Sequence, residues 1–392
     1  MKKKLVSILV VSALVSSLAA CGQSSGENAT TDNAAPAQTT TEVAQTEAAA
    51  PSKSSATAGV VWYNAADTFI ANATQCLNSI SSADGTISVI SADSQSDTTV
   101  QDQKVSNFYT QGVKYLVLNN INNAATDEIA AQMGKEGVVG IFANTTAPSD
   151  SAFEKNENLW YVSSASTQSG ENMGKALVDY FKNTKDWDKN GNGKVDYILL
   201  QGMQTFSDTI NRSSYSLATI EAAGFKLGSC IGGDDVSGVK GGDSINGVIC
   251  NFQRSEAQEN VEALLASYGD DIDCVIADND DEALGAIAAL QAHGYMTDES
   301  NYIPVVGVDA TVAGCEAIKN GTMLETSLNN PVKLSQCIYK LMYLLEKGQE
   351  VNTESIGIDG VKVEGHKVII DYISISADNI DDASYDITTT KF

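Results

Sequence analysis

From residue 58 onward, short runs of β-branched and aromatic residues alternate repeatedly with stretches of helical periodicity, and this alternation constrains the fold more than any other feature. The strand-like runs are Val60-Val61-Trp62-Tyr63, Thr86 to Ile90, Tyr115 to Leu118, Val138 to Phe142, Tyr197 to Leu200, Val275 to Ala277 and Ile303 to Val308. Most are apolar without interruption, the pattern of parallel strands covered on both faces. Ala257 to Ala266 and Glu282 to Ala292 read as helices between them. The second follows Asp278-Asn279-Asp280-Asp281, whose carboxylates suit a helix N-terminus. The fold class is doubly wound α/β. Cores stop growing near ~250 to 300 residues, so this pattern is more economical as two similar lobes than as one very wide sheet.

Charge narrows the function. With 24 basic and 50 acidic residues the net charge is −26, a surface that repels phosphate and argues against nucleic acid or an anionic membrane face as a partner. Arg212 and Arg254 are the chain's two arginines, and His293 and His366 lie in separate regions without liganding spacing, so zinc catalysis and histidine triads are disfavoured.

The first 20 residues read as an export signal: Lys2, Lys3 and Lys4, an apolar run from Leu5 to Leu18, then small residues. Leu18-Ala19-Ala20-Cys21 resembles a bacterial lipobox, in which cleavage leaves Cys21 to carry a diacylglyceryl anchor; an ordinary signal with a chance cysteine is the competing reading. Residues 21–57 hold almost no large apolar side chain, a composition expected to form a disordered tether rather than a core. At about 36 residues, such a tether reaches roughly 33 Å. The mature chain is thus expected outside the cytoplasm, held at the membrane by lipid alone.

In open α/β sheets, ligands bind beyond the carboxyl ends of the strands, so the polar residues after each apolar run are the candidates. They are Asn64 through Asp67, Asn144, Gln204 through Asp208, Asp278 through Asp280, Asp309 and Asn329, with Phe69, Phe206 and Phe252 nearby and Arg212 one turn past Asp208. Any one of these acids could simply cap a helix; their recurrence across both lobes points instead to a ligand. Planar carboxylates and amides take vicinal hydroxyls, and aromatic rings stack on the CH-rich face of a sugar. A phosphate ligand would want a Gly-rich loop or several cations, and a free amino acid more positive charge than Arg212 alone supplies.

Asp188-Lys189-Asn190-Gly191-Asn192-Gly193-Lys194-Val195-Asp196 fits the first nine positions of an EF-hand loop. Asp188, Asn190, Asn192, the Lys194 carbonyl and Asp196 would supply oxygens to a structural Ca2+. The twelfth position is Leu199, so a further acid is needed, and Asp273 is the candidate; a plain Asn/Gly turn is the alternative. Cys230 and Cys250 flank a Gly/Asp-rich stretch that reads as a hairpin excursion and that an exported protein could close with a disulfide. The remaining cysteines of the folded body read as buried small hydrophobes.

An EF-like loop running into a strand, within a two-lobed exported α/β chain, resembles the periplasmic galactose/glucose-binding proteins of sugar ABC importers and chemotaxis, from Gly59 to about Asn379. The resemblance implies a type I periplasmic-binding fold, a three-segment hinge and no catalysis. It implies Asp67 as a hydroxyl acceptor, Phe69 as a stacking ring, and Asn144, Asp208, Arg212, Asn279, Asp309 and Asn329 as polar contacts. Asp188, Asn190, Asn192, Lys194, Asp196 and Asp273 match that family's calcium shell. Phe206 stands where the family has His and Phe252 where it has Trp, which leaves the exact hexose open.

The lobes are expected to comprise residues 58–163 with 330–361 and residues 164–329 with 362–384, followed by a tail, 385–392. Crossings are expected near Ser163, Asn329 and Val361, and a long helix from Leu334 to Leu345 back in the first lobe. Implied partners are a monosaccharide, glucose or galactose first, an ABC permease, and a chemoreceptor or sensor domain, with the chain a monomer. Another sugar or a furanose signal is the alternative ligand. A glycosidase using Asp208 and Asp309 is the competing enzyme reading.

Overall fold

The computed structural model describes residues 56–392; the signal segment, Cys21 and the tether up to residue 55 lie outside the described residues. The first strand, β1 (Ala56–Trp62), takes in the last two residues of the expected tether, 56 and 57. It is followed by α1 (Thr68–Asp84), β2 (Ile87–Asp93), α2 (Thr98–Gln111), β3 (Tyr115–Leu118), α3 (Thr126–Glu136), β4 (Val139–Ala143), α4 (Asp150–Lys155) and β5 (Leu159–Ser164). The chain then passes through α5 (Ser166–Asn183), β6 (Val195–Gln201), α6 (Ser207–Ala222), β7 (Leu227–Cys230), β8 (Val248–Ile249), α7 (Arg254–Tyr268), β9 (Cys274–Ala277), α8 (Asp280–Ala292), β10 (Val305–Val308), α9 (Val312–Lys319) and β11 (Glu325–Leu328). It ends in α10 (Pro331–Glu346), α11 (Thr353–Ile356), β12 (Val361–Glu364), β13 (Lys367–Ile370) and β14 (Ile373–Ile375).

Two sheets result, ordered β12-β13-β5-β4-β3-β1-β2 and β14-β11-β10-β9-β6-β7, with β8 also on β6. Pairing is parallel except for β12 with β13 and β11 with β14. Each sheet is apolar on both faces, because successive strand side chains feed opposite layers: on β6, Tyr197 and Leu199 enter one core and Ile198 and Leu200 the other.

The chain leaves the first sheet between β5 and α5 and returns between β11 and α10, which packs on α1. The third crossing departs from expectation. β12 and β13 remain in the first sheet, β13 parallel to β5, so the crossing falls at Asp371 and Tyr372 rather than near Val361. The reason is the alternation in Val361-Lys362-Val363, which suits an edge hairpin, pairing Val361 with Ile370. The three crossings are bonded together: Ser164 Oγ donates to Asn329 Oδ1 at 2.8 Å and the Tyr372 amide to Gln168 Oε1 at 2.9 Å. The tail folds back on the first lobe, with the Phe392 ring 4.8 Å from Tyr339 and 5.2 Å from Tyr343.

The stretch between Cys230 and Cys250 is not a hairpin. β7 and β8 both run parallel to β6, as two pieces of one edge interrupted by the excursion. Its cysteines are unbridged, because Cys230 packs in the layer of Tyr197 and Leu199 while Cys250 packs in the layer of Ile198 and Leu200, on the opposite face of the sheet.

Candidate functional site

Between the lobes lies a cavity of about 30 Å³ lined by Tyr63, Asp67, Phe69, Asn144, Phe206, Asp208, Arg212, Phe252, Asn279, Asp309 and Asn329. Every residue expected to bind ligand from the sequence therefore faces one space, and one more joins them. Tyr63 follows β1 directly and closes the apolar run Val60-Val61-Trp62-Tyr63; its polar end was the signal in the sequence, hidden because the run reads as core.

The first lobe contributes through β1 and β4. Asp67 is the N-cap of α1: its Oδ1 accepts the Ile70 amide at 3.0 Å, and its other oxygen accepts the Tyr63 hydroxyl. Burial pushes the Asp67 carboxyl up, against the lowering effect of those bonds. Asn144 follows β4 with a positive φ of 50°.

The second lobe contributes the ends of five strands. Asp208 and Arg212 sit on the first turns of α6, after β6, with Arg212 Nη2 3.8 Å from Asp208 Oδ2. Arg212 Nη1 donates to the Asp278 carbonyl at 2.7 Å and Nη2 to the Tyr372 hydroxyl at 3.0 Å, so the guanidinium ties the cleft to the third crossing. Burial opposes its charge, but Tyr372, Asp208, Asp309 and Asp278 outweigh that and raise its pKa. Its Nε has no partner among the described residues and is buried, a donor left for a ligand. Burial raises Asp309 well above the carboxylate range, with Arg212 opposing the shift.

Phe252 is held in place by three devices. Asn251 and Phe252 have φ of 51° and 60°, a left-handed pair uncommon for side chains of this size. The Phe252 amide donates to the buried Glu282 Oε1 at 3.0 Å. Gly202, at the end of β6, makes room for the ring: a Cβ there would stand 2.0 Å from it. Asp309 also has a positive φ, 113°, so strained backbone recurs at Asn144, Phe252 and Asp309, three residues of one site.

Three hydrogen bonds span the two lobes. Thr68 Oγ1 donates to Asp281 Oδ2 at 2.9 Å, Asn123 Nδ2 to the Thr205 carbonyl at 2.7 Å and the Ser207 amide to Thr146 Oγ1 at 3.3 Å, each across the cleft.

The EF-like loop lies away from this cavity, ahead of β6. Asp188 accepts the amides of Gly191, Asn192 and Gly193, and Asn190 and Asn192 both direct their amide groups at Asp196 Oδ2, at 2.9 and 2.5 Å. The side chains of Asp188, Asn190, Asn192 and Asp196 thus belong to one hydrogen-bonded loop that continues through Lys194. Asp273 reaches the same loop: its oxygens take the amides of Lys189 and Asp196 at 2.7 and 2.8 Å, bracing the loop from the start of β9. Among the described residues no three acidic, histidine or cysteine side chains converge as a metal cluster.

Residues 58–350 match the family model described as a periplasmic binding protein domain. The chain is 26% identical over 327 residues to the D-galactose/methyl-galactoside binding periplasmic protein of Haemophilus influenzae, covering 83% of this chain and 90% of that one. Its fold is shared with a solute binding protein of an ABC transporter from Bacillus halodurans, solved with myo-inositol: TM-score 0.66, 23% identity, 85% of this chain and 98% of the other. It is also shared with a Mycobacterium smegmatis protein in complex with β-D-fucofuranose: TM-score 0.66, 20% identity, 84% and 93% covered. With two parallel-sheet lobes, three crossings and a cleft built from the strand ends of both, the chain belongs to the periplasmic binding protein domain family.

Proposed function

We propose that this protein captures one neutral monosaccharide, an aldose of the kind to which glucose and galactose belong, and hands it unchanged to an ABC permease. One observation carries the reading: one cleft takes its polar groups from strand ends of both lobes and pairs them with aromatic rings. Acids, amides and one arginine suit hydroxyls, and a ligand touching both lobes stabilises the closed form by differential contact. The relatives support sugar as the class, one through D-galactose and methyl-galactoside in its name and others through myo-inositol and β-D-fucofuranose in their crystals.

The chain is a binding protein and not an enzyme, as its family is; Asp208, half of the acid/base pair weighed above, is committed to Arg212. The extracytoplasmic placement of the family fits a lipid anchor on Cys21, with the monomeric closed form docking on the permease or a sensor domain. The loop from Asp188 to Asp196 is proposed to hold one structural Ca2+, its Asn190 and Asn192 amides rotated to present oxygen, with Asp273 bracing the loop. Calorimetry and thermal shift with a panel of neutral sugars test the central reading; the absence of any saturable heat or shift would sink it.

A further inference from the structure

Two buried acids of the second lobe, Asp278 and Glu282, stand outside the set of residues that line the cleft. Asp278 precedes Asn279, the N-cap of α8, and Glu282 lies in the first turn of that helix. Each takes one backbone amide from a segment that follows a strand of the same sheet. Asp278 Oδ2 accepts the Gly202 amide at 3.2 Å, just past β6, and Glu282 Oε1 accepts the Phe252 amide at 3.0 Å, just past β8. Those two segments meet, since the Phe252 ring lies against Gly202 in the space that a Cβ there would need. A buried carboxyl costs more than an apolar side chain, and what it supplies here is an acceptor for amides that would otherwise be buried without one.

Phe252 depends on such a hold. Its φ of 60° follows 51° at Asn251, and two successive left-handed residues with side chains relax unless a contact fixes them. Glu282 is itself fixed, because its own amide donates to Asn279 Oδ1 at 2.9 Å, so the turn that places a polar residue in the cleft also places the acceptor behind the ring. Burial pushes the Glu282 carboxyl up, with Asp278 beside it adding to the rise and Arg212 opposing it, so a neutral side chain of the same shape can do its work. Resting on the monosaccharide reading above, we propose that Glu282 is a positioning residue for sugar capture. From behind the cleft it holds the Phe252 backbone in its left-handed turn, and so fixes a ring that the second lobe presents to the ligand.

The test is calorimetry with D-glucose and D-galactose, beside NMR of the sugar-free protein that reads the ring contact between Phe252 and Tyr63, whose centroids lie 6.3 Å apart. Glu282→Met removes the acceptor and Glu282→Asp draws it back by one methylene. Each weakens the tighter-binding sugar about ten-fold and loses the ring contact, while Glu282→Gln retains both. Should Glu282→Met fail to fold, Glu282→Asp decides. In a Phe252→Ala background Glu282→Asp costs no further affinity, a coupling that a general loss of stability would not produce. Unchanged affinity and ring contact in folded Glu282→Asp protein, or a full further loss in the Phe252→Ala background, overturns the assignment and leaves sugar capture standing. Heat from neither sugar, nor from the wider panel, overturns the monosaccharide reading instead, and the ring contact alone then decides whether Glu282 holds Phe252.

Discussion

Tyr63 donates its phenolic proton to the Asp67 carboxylate four residues later, and the other oxygen of that carboxylate caps α1. One side chain thus starts a helix, orients an aromatic wall and lines the cleft. Asp67→Asn keeps an oxygen for the Ile70 amide but loses the anionic acceptor, so sugar affinity falls about ten-fold or more while thermal stability changes little. Asp67→Ala loses the cap as well and costs about 1 kcal/mol of stability. Equal melting temperatures for the two variants would contradict the dual role.

Arg212 is buried among Asp208, Asp278, Asp309 and Tyr372. Arg212→Met leaves buried carboxylates without their cation and lowers unfolding free energy by about 3 to 5 kcal/mol. Arg212→Lys retains the charge but not the fork, so it keeps most of the stability and loses most of the binding. Denaturant titration beside calorimetry separates the two; a lysine variant that binds normally would show that Nε and fork geometry are immaterial.

Glu325 on β11 is buried, with Oε1 accepting the hydroxyls of Ser327 and Ser374, both at 2.9 Å, and Oε2 unpartnered among the described residues. Burial pushes its carboxyl from 4.5 to about 8. The folded chain therefore keeps this proton up to about pH 8, whereas the unfolded chain releases it near 4.5. Between those values unfolding releases a proton, so stability falls as pH rises, by at most about 1.4 kcal/mol per pH unit. Glu325→Gln makes the melting temperature fall less steeply over that window; an unchanged slope would assign the pH dependence to other groups.

If the loop from Asp188 to Asp196 holds Ca2+, chelation lowers the melting temperature by a few degrees and added Ca2+ restores it, since an ion bound only to the folded state stabilises by mass action, about 2.7 kcal/mol at one hundred times Kd. Asp188→Asn and Asp196→Asn abolish the response. Melting that ignores both chelator and Ca2+ would leave the segment a self-bonded turn.

Much of the binding site could be read from strand ends alone, because in a parallel sheet every carboxyl end points to the same side and a polar residue after an apolar run has few other places to go. Asn144, Asp208, Asn279, Asp309 and Asn329 all follow that rule. Tyr63 escaped because its phenol ring is indistinguishable from core in an apolar run. The third crossing escaped because two four-residue strands, β12 and β13, add to the first sheet through pairing with β5, a contact some 200 residues away in the chain that no local pattern encodes.

Local chemistry by itself determined the doubly wound class and the polar and aromatic residues that line the cleft, since periodicity and residue type act over a few neighbours. Only tertiary structure decided that Cys230 and Cys250 stand on opposite faces of a sheet, that Asp273 spends its carboxylate on backbone amides, and that Tyr63, Phe206 and Phe252 meet at one corner. Each of those depends on register and direction across distant segments, and a side chain's partners are settled by which face the packed backbone turns toward them.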